Sequence, residues 1–238
     1  MKLRLVFILL LAVAAGLWPA VGDGQIKDSQ AYKWYEQGRQ ELNRQDYAKA
    51  ITAFDRAILQ QSRFAEAYLY RGLARAELRE YDRAIDDYTR ALDFKSSLIE
   101  AYRYRGKAYA ALGRTDRAVE DYNQLLSQIP DDADAFRQRG LAYAQLNQWG
   151  PAIEDFTRAI ALDPKNAESY YNRAVARDRL GQRAEAVEDY SQALSLNPKD
   201  FNSFLNRAIA HGRLGQDDKA LDDYAKAIDL NPGRSDLY

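Results

Sequence analysis

The chain has 238 residues, with 34 basic and 35 acidic side chains, one histidine and no cysteine. Without cysteine it forms neither disulfides nor thiolate metal sites, and a formal charge of -1 removes the electrostatic footprint of a nucleic-acid binder. A mean hydropathy of -0.58 is too polar for a bundle of membrane helices.

Residues 1–22 differ in kind from the rest. Lys2 and Arg4 precede an uncharged run from Leu5 to Gly22, whose apolar centre reads LVFILLLAVAA. Gly16 and Pro19 loosen the helix after it, and Ala20, Val21 and Gly22 form a small-residue cleavage site. The segment is predicted to be a signal peptide that sends the chain to the periplasm or outside the cell. The alternative is an uncleaved membrane anchor over 5–22, since spanning a bilayer takes about 20 apolar residues. No cysteine follows to carry a bacterial lipid anchor. Residues 23–30 are a polar linker, in which Asp28 or Ser29 is placed to cap a first helix.

From Ala31 to Arg234 the sequence repeats every 34 residues without insertion or deletion, as 31–64, 65–98, 99–132, 133–166, 167–200 and 201–234. Residues 235–238 remain as a tail. In each copy an aromatic (Trp34, Tyr68, Tyr102, Phe136, Tyr170, Phe204) precedes a glycine or alanine by four, which puts both on one face of a first helix. Twelve residues later comes an alanine, Ala50 through Ala220, and four beyond it a second aromatic, Phe54 through Tyr224, on a second helix. Turn chemistry such as Leu112-Gly113, Leu180-Gly181 and Leu214-Gly215 joins the two. Pro151 falls in the first turn of its helix, where a missing N–H costs little. The chain is therefore all-α, and a fixed period of this length denotes stacked helical hairpins, none of which buries its apolar stripe alone. Counting inward from both ends of a hairpin sets the small residue of the first helix opposite the alanine of the second, with the rings at the wider ends.

Aromatic, Gly/Ala, Ala, aromatic, Ala and Pro at this spacing resemble the tetratricopeptide repeat family, six times in phase. The departures are Ser62 and Ser96 in place of proline and Leu125 in place of the last alanine. The resemblance implies a right-handed superhelical solenoid of antiparallel helix pairs, whose first helices line a concave groove that binds peptide segments of partner proteins.

First helices carry an arginine before the small residue (Arg71, Arg105, Arg139, Arg173, Arg207), and second helices an aspartate before the aromatic (Asp87, Asp121, Asp155, Asp189, Asp223). Gln37 and Ala53 replace both together in the first copy. The joint loss favours an ion pair within each hairpin over a ladder of anion-binding arginines. Asp86, Glu154 and Asp222 precede Arg90, Arg158 and Lys226 by four, the spacing of solvated helix pairs, and no calcium loop accompanies them. His211 stands where earlier copies have Tyr109 and Tyr143, without a second histidine or an oriented nucleophile, so packing is its expected role. Phosphate-loop and zinc-helix signatures are absent. No cofactor, metal or catalytic residue is expected.

Positions on the first helices that face away from the hairpin vary between copies, and these are the expected peptide-binding residues. They are Tyr35 and Arg39, Leu69 and Tyr70, then Arg103, Tyr104 and Lys107. Arg137 and Gln138, Tyr171 and Asn172, and Leu205 and Asn206 continue the series, with Leu73, Leu141, Val175 and Ile209 either beside the ligand or packed on the next repeat. Arg103, Lys107 and Arg137 are expected to meet mid-array and to favour a segment with acidic residues between apolar ones. Gln138 and Glu168 break the carboxylate clamp that some family members use. At the C-terminal end Leu221 and Ile228 are expected to stay partly uncovered, available to Leu237 and Tyr238, a partner or a second copy. The functional expectation is an exported, non-enzymatic interaction scaffold. The alternatives are a self-assembling structural adaptor and an accessory substrate-binding subunit of an envelope enzyme.

Overall fold

The computed structural model describes residues 29–231. They form twelve helices: α1 (Gln30–Asn43), α2 (Tyr47–Gln60), α3 (Ala65–Glu77), α4 (Tyr81–Phe94), α5 (Ile99–Ala111), α6 (Thr115–Gln128), α7 (Ala133–Gln145), α8 (Trp149–Leu162), α9 (Ala167–Arg179), α10 (Arg183–Leu196), α11 (Phe201–Arg213) and α12 (Asp217–Leu230). Among the described residues there is no strand. The segment expected to be a signal peptide or anchor, the linker up to Asp28, and Leu237 and Tyr238 lie outside this range.

Local sequence explains the boundaries. Ser29 caps α1 by accepting from the Tyr32 N–H. Asp132, Asn166 and Asp200 do the same for α7, α9 and α11, while α3 and α5 start at Phe64 and Leu98 without a side-chain cap. Every first helix ends in a left-handed residue. Gly113, Gly181 and Gly215 take that conformation as the sequence predicts, but Gln45, Arg79 and Asn147 adopt it as well, at φ of 62°, 61° and 58°. The uniform hairpin geometry imposes it on side chains that disfavour it. Pro130, Pro164 and Pro198 follow the last residues of α6, α8 and α10 and stop them there.

Helices of a pair pack together, and each second helix packs on the first helix of the next pair. Successive first helices also touch one another, more closely than successive second helices do. That asymmetry curves the stack with the first helices on the inside. The core runs along it as a chain of small clusters. Ala50, Ala84, Ala118, Ala152 and Ala186 are fully buried, and so are Phe54, Tyr88, Tyr122 and Phe156.

The atoms nearest Gly38, Gly72, Gly106 and Gly140, the small residues of their first helices, belong mainly to the second aromatic, so the rings are not confined to the wider ends. A Cβ on Gly38 would sit 2.6 Å from the Phe54 ring, one on Gly72 2.6 Å from Tyr88, and one on Gly140 2.8 Å from Phe156. The ring of the second helix lies against the backbone of the first, so glycine clears room for it.

Candidate functional site

The arginine–aspartate rows pair within each hairpin. Nε and Nη2 of Arg139 donate to the two carboxylate oxygens of Asp155 at 2.8 and 2.7 Å. Arg105–Asp121, Arg173–Asp189 and Arg207–Asp223 repeat this fork at 2.6–2.9 Å. Burial pushes the carboxyls of Asp87, Asp121 and Asp155 above the usual carboxylate range, against the pull of the arginine that each accepts from.

The remaining donor of each arginine reaches back to the second helix of the preceding repeat. Arg71 Nη1 meets Asp55 at 2.5 Å, and Arg105 meets Thr89 at 3.0 Å. Arg139 meets Asn123 at 2.7 Å, Arg173 meets Thr157 at 3.1 Å and Arg207 meets Ser191 at 2.9 Å. Each guanidinium also covers the first aromatic of its own helix, as Arg139 covers Phe136 at 5.5 Å. The rows are thus spent on holding the fold. The sequence carried a signal for this second link: an oxygen-bearing residue after the second aromatic in five copies, with Ala225 in the sixth.

Asp86, Glu154 and Asp222 face solvent as expected, although Arg158 lies over the Phe136 ring at 6.0 Å. His211 is buried, with Nδ1 2.7 Å from Gln216 Oε1 and Nε2 3.9 Å from Asp223. Arg75 and Arg177 hold the same repeat position and bond Asp87 and Asp189 at 2.8 and 2.7 Å. Among the described residues no group of histidine and carboxylate side chains is placed to hold a metal ion, and no helix is long and apolar enough to cross a membrane.

The inner face is built differently at its two ends. Tyr35 and Leu69, expected to meet a ligand, are buried at 7% and 4% exposure. Tyr35 packs against Phe64, Tyr70 and Phe54, because this repeat position turns into the junction with the next hairpin when its side chain is apolar. Tyr70 lies over Phe54 and Tyr104 over Tyr88, each at 6.2 Å between ring centres, and Arg39 caps Tyr70 at 5.4 Å. These half-buried rings floor the first part of the groove.

Its middle holds charge, but not the free positive patch expected of Arg103, Lys107 and Arg137. All three do converge, on carboxylates at the starts of α7 and α9. Arg103 bonds Asp132, and its Nη1 is 3.6 Å from Asp134; Lys107 is 3.3 Å from Asp134. Arg137 joins Asp134 at 2.6 Å to Glu168 at 2.8 Å, and Gln138 donates to Asp134 at 3.4 Å. Burial raises the carboxyls of Asp132 and Asp134, but the facing cations outweigh it and hold both below the usual carboxylate range. Three cations therefore meet three anions, and an acidic ligand finds no surplus charge. Beyond this cluster Asn206 donates to the Tyr171 hydroxyl at 3.1 Å, while Asn172 and Leu205 are half-buried. Leu73, Leu141, Val175 and Ile209 are half-buried too. At the C-terminal end Leu221 is 67% exposed and Ile228 is partly covered.

No curated protein matches the chain. Among solved structures it is similar to YrrB, described as a TPR protein with an unusual peptide-binding site, at 24% identity over 78% of this chain and 95% of that one, with a TM-score of 0.69. A tetratricopeptide repeat protein from Parabacteroides merdae is similar over 88% and 84% at 23% identity and a TM-score of 0.73. MamA from Desulfovibrio magneticus is similar over 76% and 99% at 21% identity and a TM-score of 0.69. Tetratricopeptide repeat models match residues 35–98, 107–170, 167–200 and 190–222. With the paired helices and the ring-on-glycine contact recurring along the stack, these matches make the chain a member of the tetratricopeptide repeat family.

Proposed function

We propose that this protein is an exported, non-enzymatic scaffold that holds an extended segment of another protein along its inner face. The observation that carries this reading is the inner face itself. Tyr70 and Tyr104 present half-buried rings on a preformed floor, and the adjoining ion cluster is already neutral. Such a surface suits a segment of mixed polar and apolar residues, with the rings supplying contact area at little entropic cost. YrrB, of the same fold, is described as having a peptide-binding site, which agrees with a peptide ligand.

Capture from envelope extract by the wild-type chain and by Tyr70→Ala plus Tyr104→Ala tests this reading. A partner retained by the first and lost by the second supports it; equal retention places the partner elsewhere. N-terminal sequencing of the secreted chain is expected to begin at or near Asp23, and recovery of full-length chain in membranes would make it an anchored protein. A second reading rests on the exposed Leu221, whose counterparts Val187 and Ile153 are half-buried against the following repeat. Self-association through Leu221 and Ile228 would appear in sedimentation as a mass that rises with concentration and falls in Leu221→Glu plus Ile228→Glu.

A further inference from the structure

Five junctions join the six hairpins, and three corresponding positions lie at the end of each one; in the first they hold Leu42, Tyr47 and Glu77. Between the third and fourth hairpins Thr115 Oγ1 is 3.2 Å from Gln145 Oε1. Between the fourth and fifth the indole of Trp149 is half-buried at this place. Between the fifth and sixth Asp178 accepts from Arg213 at 2.6 Å and lies 3.9 Å from Arg183. Between the second and third the same positions hold Ala76, Tyr81 and Ala111. The two methyl groups do not reach across, and although the half-buried Tyr81 stands where Trp149 does, a cleft of about 540 Å³ opens there, walled also by Leu73, Tyr88 and Tyr104.

Tyr88 lines the cleft and is fully buried, and its hydroxyl, like that of Tyr122 one repeat on, has no hydrogen-bond partner. Burial pushes the phenol well above its ordinary range, so it stays a neutral O–H able to donate. A buried donor without an acceptor costs on the order of 1–3 kcal/mol, a cost removed when a ligand brings an oxygen to it. The charges around the cleft are of both signs: Glu77 and Arg79 are exposed to solvent at its rim, and Lys107 is already held by Asp134. An incoming charge would lose its hydration without a dedicated counterion, whereas an uncharged ring would lie among tyrosines and alanines.

We infer that the cleft between α3 and α5 is an anchor subsite for one large uncharged side chain, aromatic by preference, of the bound segment, with a main-chain carbonyl of that segment accepting from Tyr88. This rests on the peptide-binding reading above and assigns its specificity to one place.

Selection of random peptides displayed on phage, against the whole chain, tests it. The wild type is expected to enrich peptides with Phe, Trp, Tyr, Leu or Met at one fixed position. Filling the cleft by Ala76→Leu plus Ala111→Leu, or more mildly by Ala111→Gln as in the next junction, is expected to lower affinity for the selected peptide at least tenfold with an unchanged circular dichroism spectrum. Tyr88→Phe is expected to lower it several-fold. Full affinity in a folded, filled variant, or a charged residue at the fixed position, overturns the subsite and leaves groove binding standing. No enriched peptide on any form overturns both.

Discussion

The fork between Arg139 and Asp155 gives a quantitative test of what holds each hairpin. Asp155 is 4% exposed, and its two oxygens accept from Nε and Nη2 of Arg139. Asp155→Ala leaves a largely buried guanidinium with only its Asn123 bond and the rings of Phe136 and Tyr143. The loss of two charge-assisted bonds is expected to cost about 1 to 3 kcal/mol. The carboxyl's raised pKa shows that burying it is itself expensive, so the pair's net worth is smaller than the damage done by halving it. Arg139→Met combined with Asp155→Leu is therefore expected to lie within about 1 kcal/mol of wild type. Urea unfolding of wild type, Arg139→Met, Asp155→Leu and the double variant closes a double-mutant cycle, with equal m-values confirming one cooperative transition. Single losses that simply add in the double variant would refute the coupling. The same pKa direction fixes a sign: between the ordinary and the raised value the folded state binds more protons, so this pair's contribution falls as pH rises through that window.

The lowered pKa values of Asp132 and Asp134 work in the other direction. Their contribution is complete above the ordinary carboxylate value and is lost as pH falls through the folded values, so Asp134→Asn is expected to flatten the acid limb of a stability–pH curve. Gln45→Gly relieves a left-handed glutamine and is expected to stabilise by about 1 kcal/mol in thermal unfolding. Gly72→Ala forces a methyl into the Tyr88 ring and is expected to destabilise by about 1–3 kcal/mol. Gly106→Ala, whose nearest ring atom is 3.1 Å away, is expected to cost less.

What the sequence made legible is whatever recurs every 34 residues: the hairpins, the buried rings and alanines, and the level at which Arg139 meets Asp155. What it hid depends on one repeat leaning over the next. The neutralising partners of Arg103 and Arg137 lie 29 and 31 positions further on, at the start of the following hairpin's first helix. Tyr35 and Tyr70 sit at adjacent phases of the repeat, yet Tyr35 enters the junction while Tyr70 covers the neighbouring ring. Gln45, Arg79 and Asn147 show why turn chemistry is an incomplete guide: packing of the paired helices fixes the backbone, and residues other than glycine follow it.

The backward reach of the arginines has a mechanical consequence. Each guanidinium ties its own second helix to the one before it, so five rivets run along the outer wall of the arc. The links between first helices are of mixed kind: Tyr35 against Tyr70, Lys107 to Asp134, Arg137 to Glu168 and Arg213 to Asp178. The outer arc is tied by one repeated bond at every step and so sets the spacing of the hairpins, while the inner face is free to vary its chemistry from repeat to repeat.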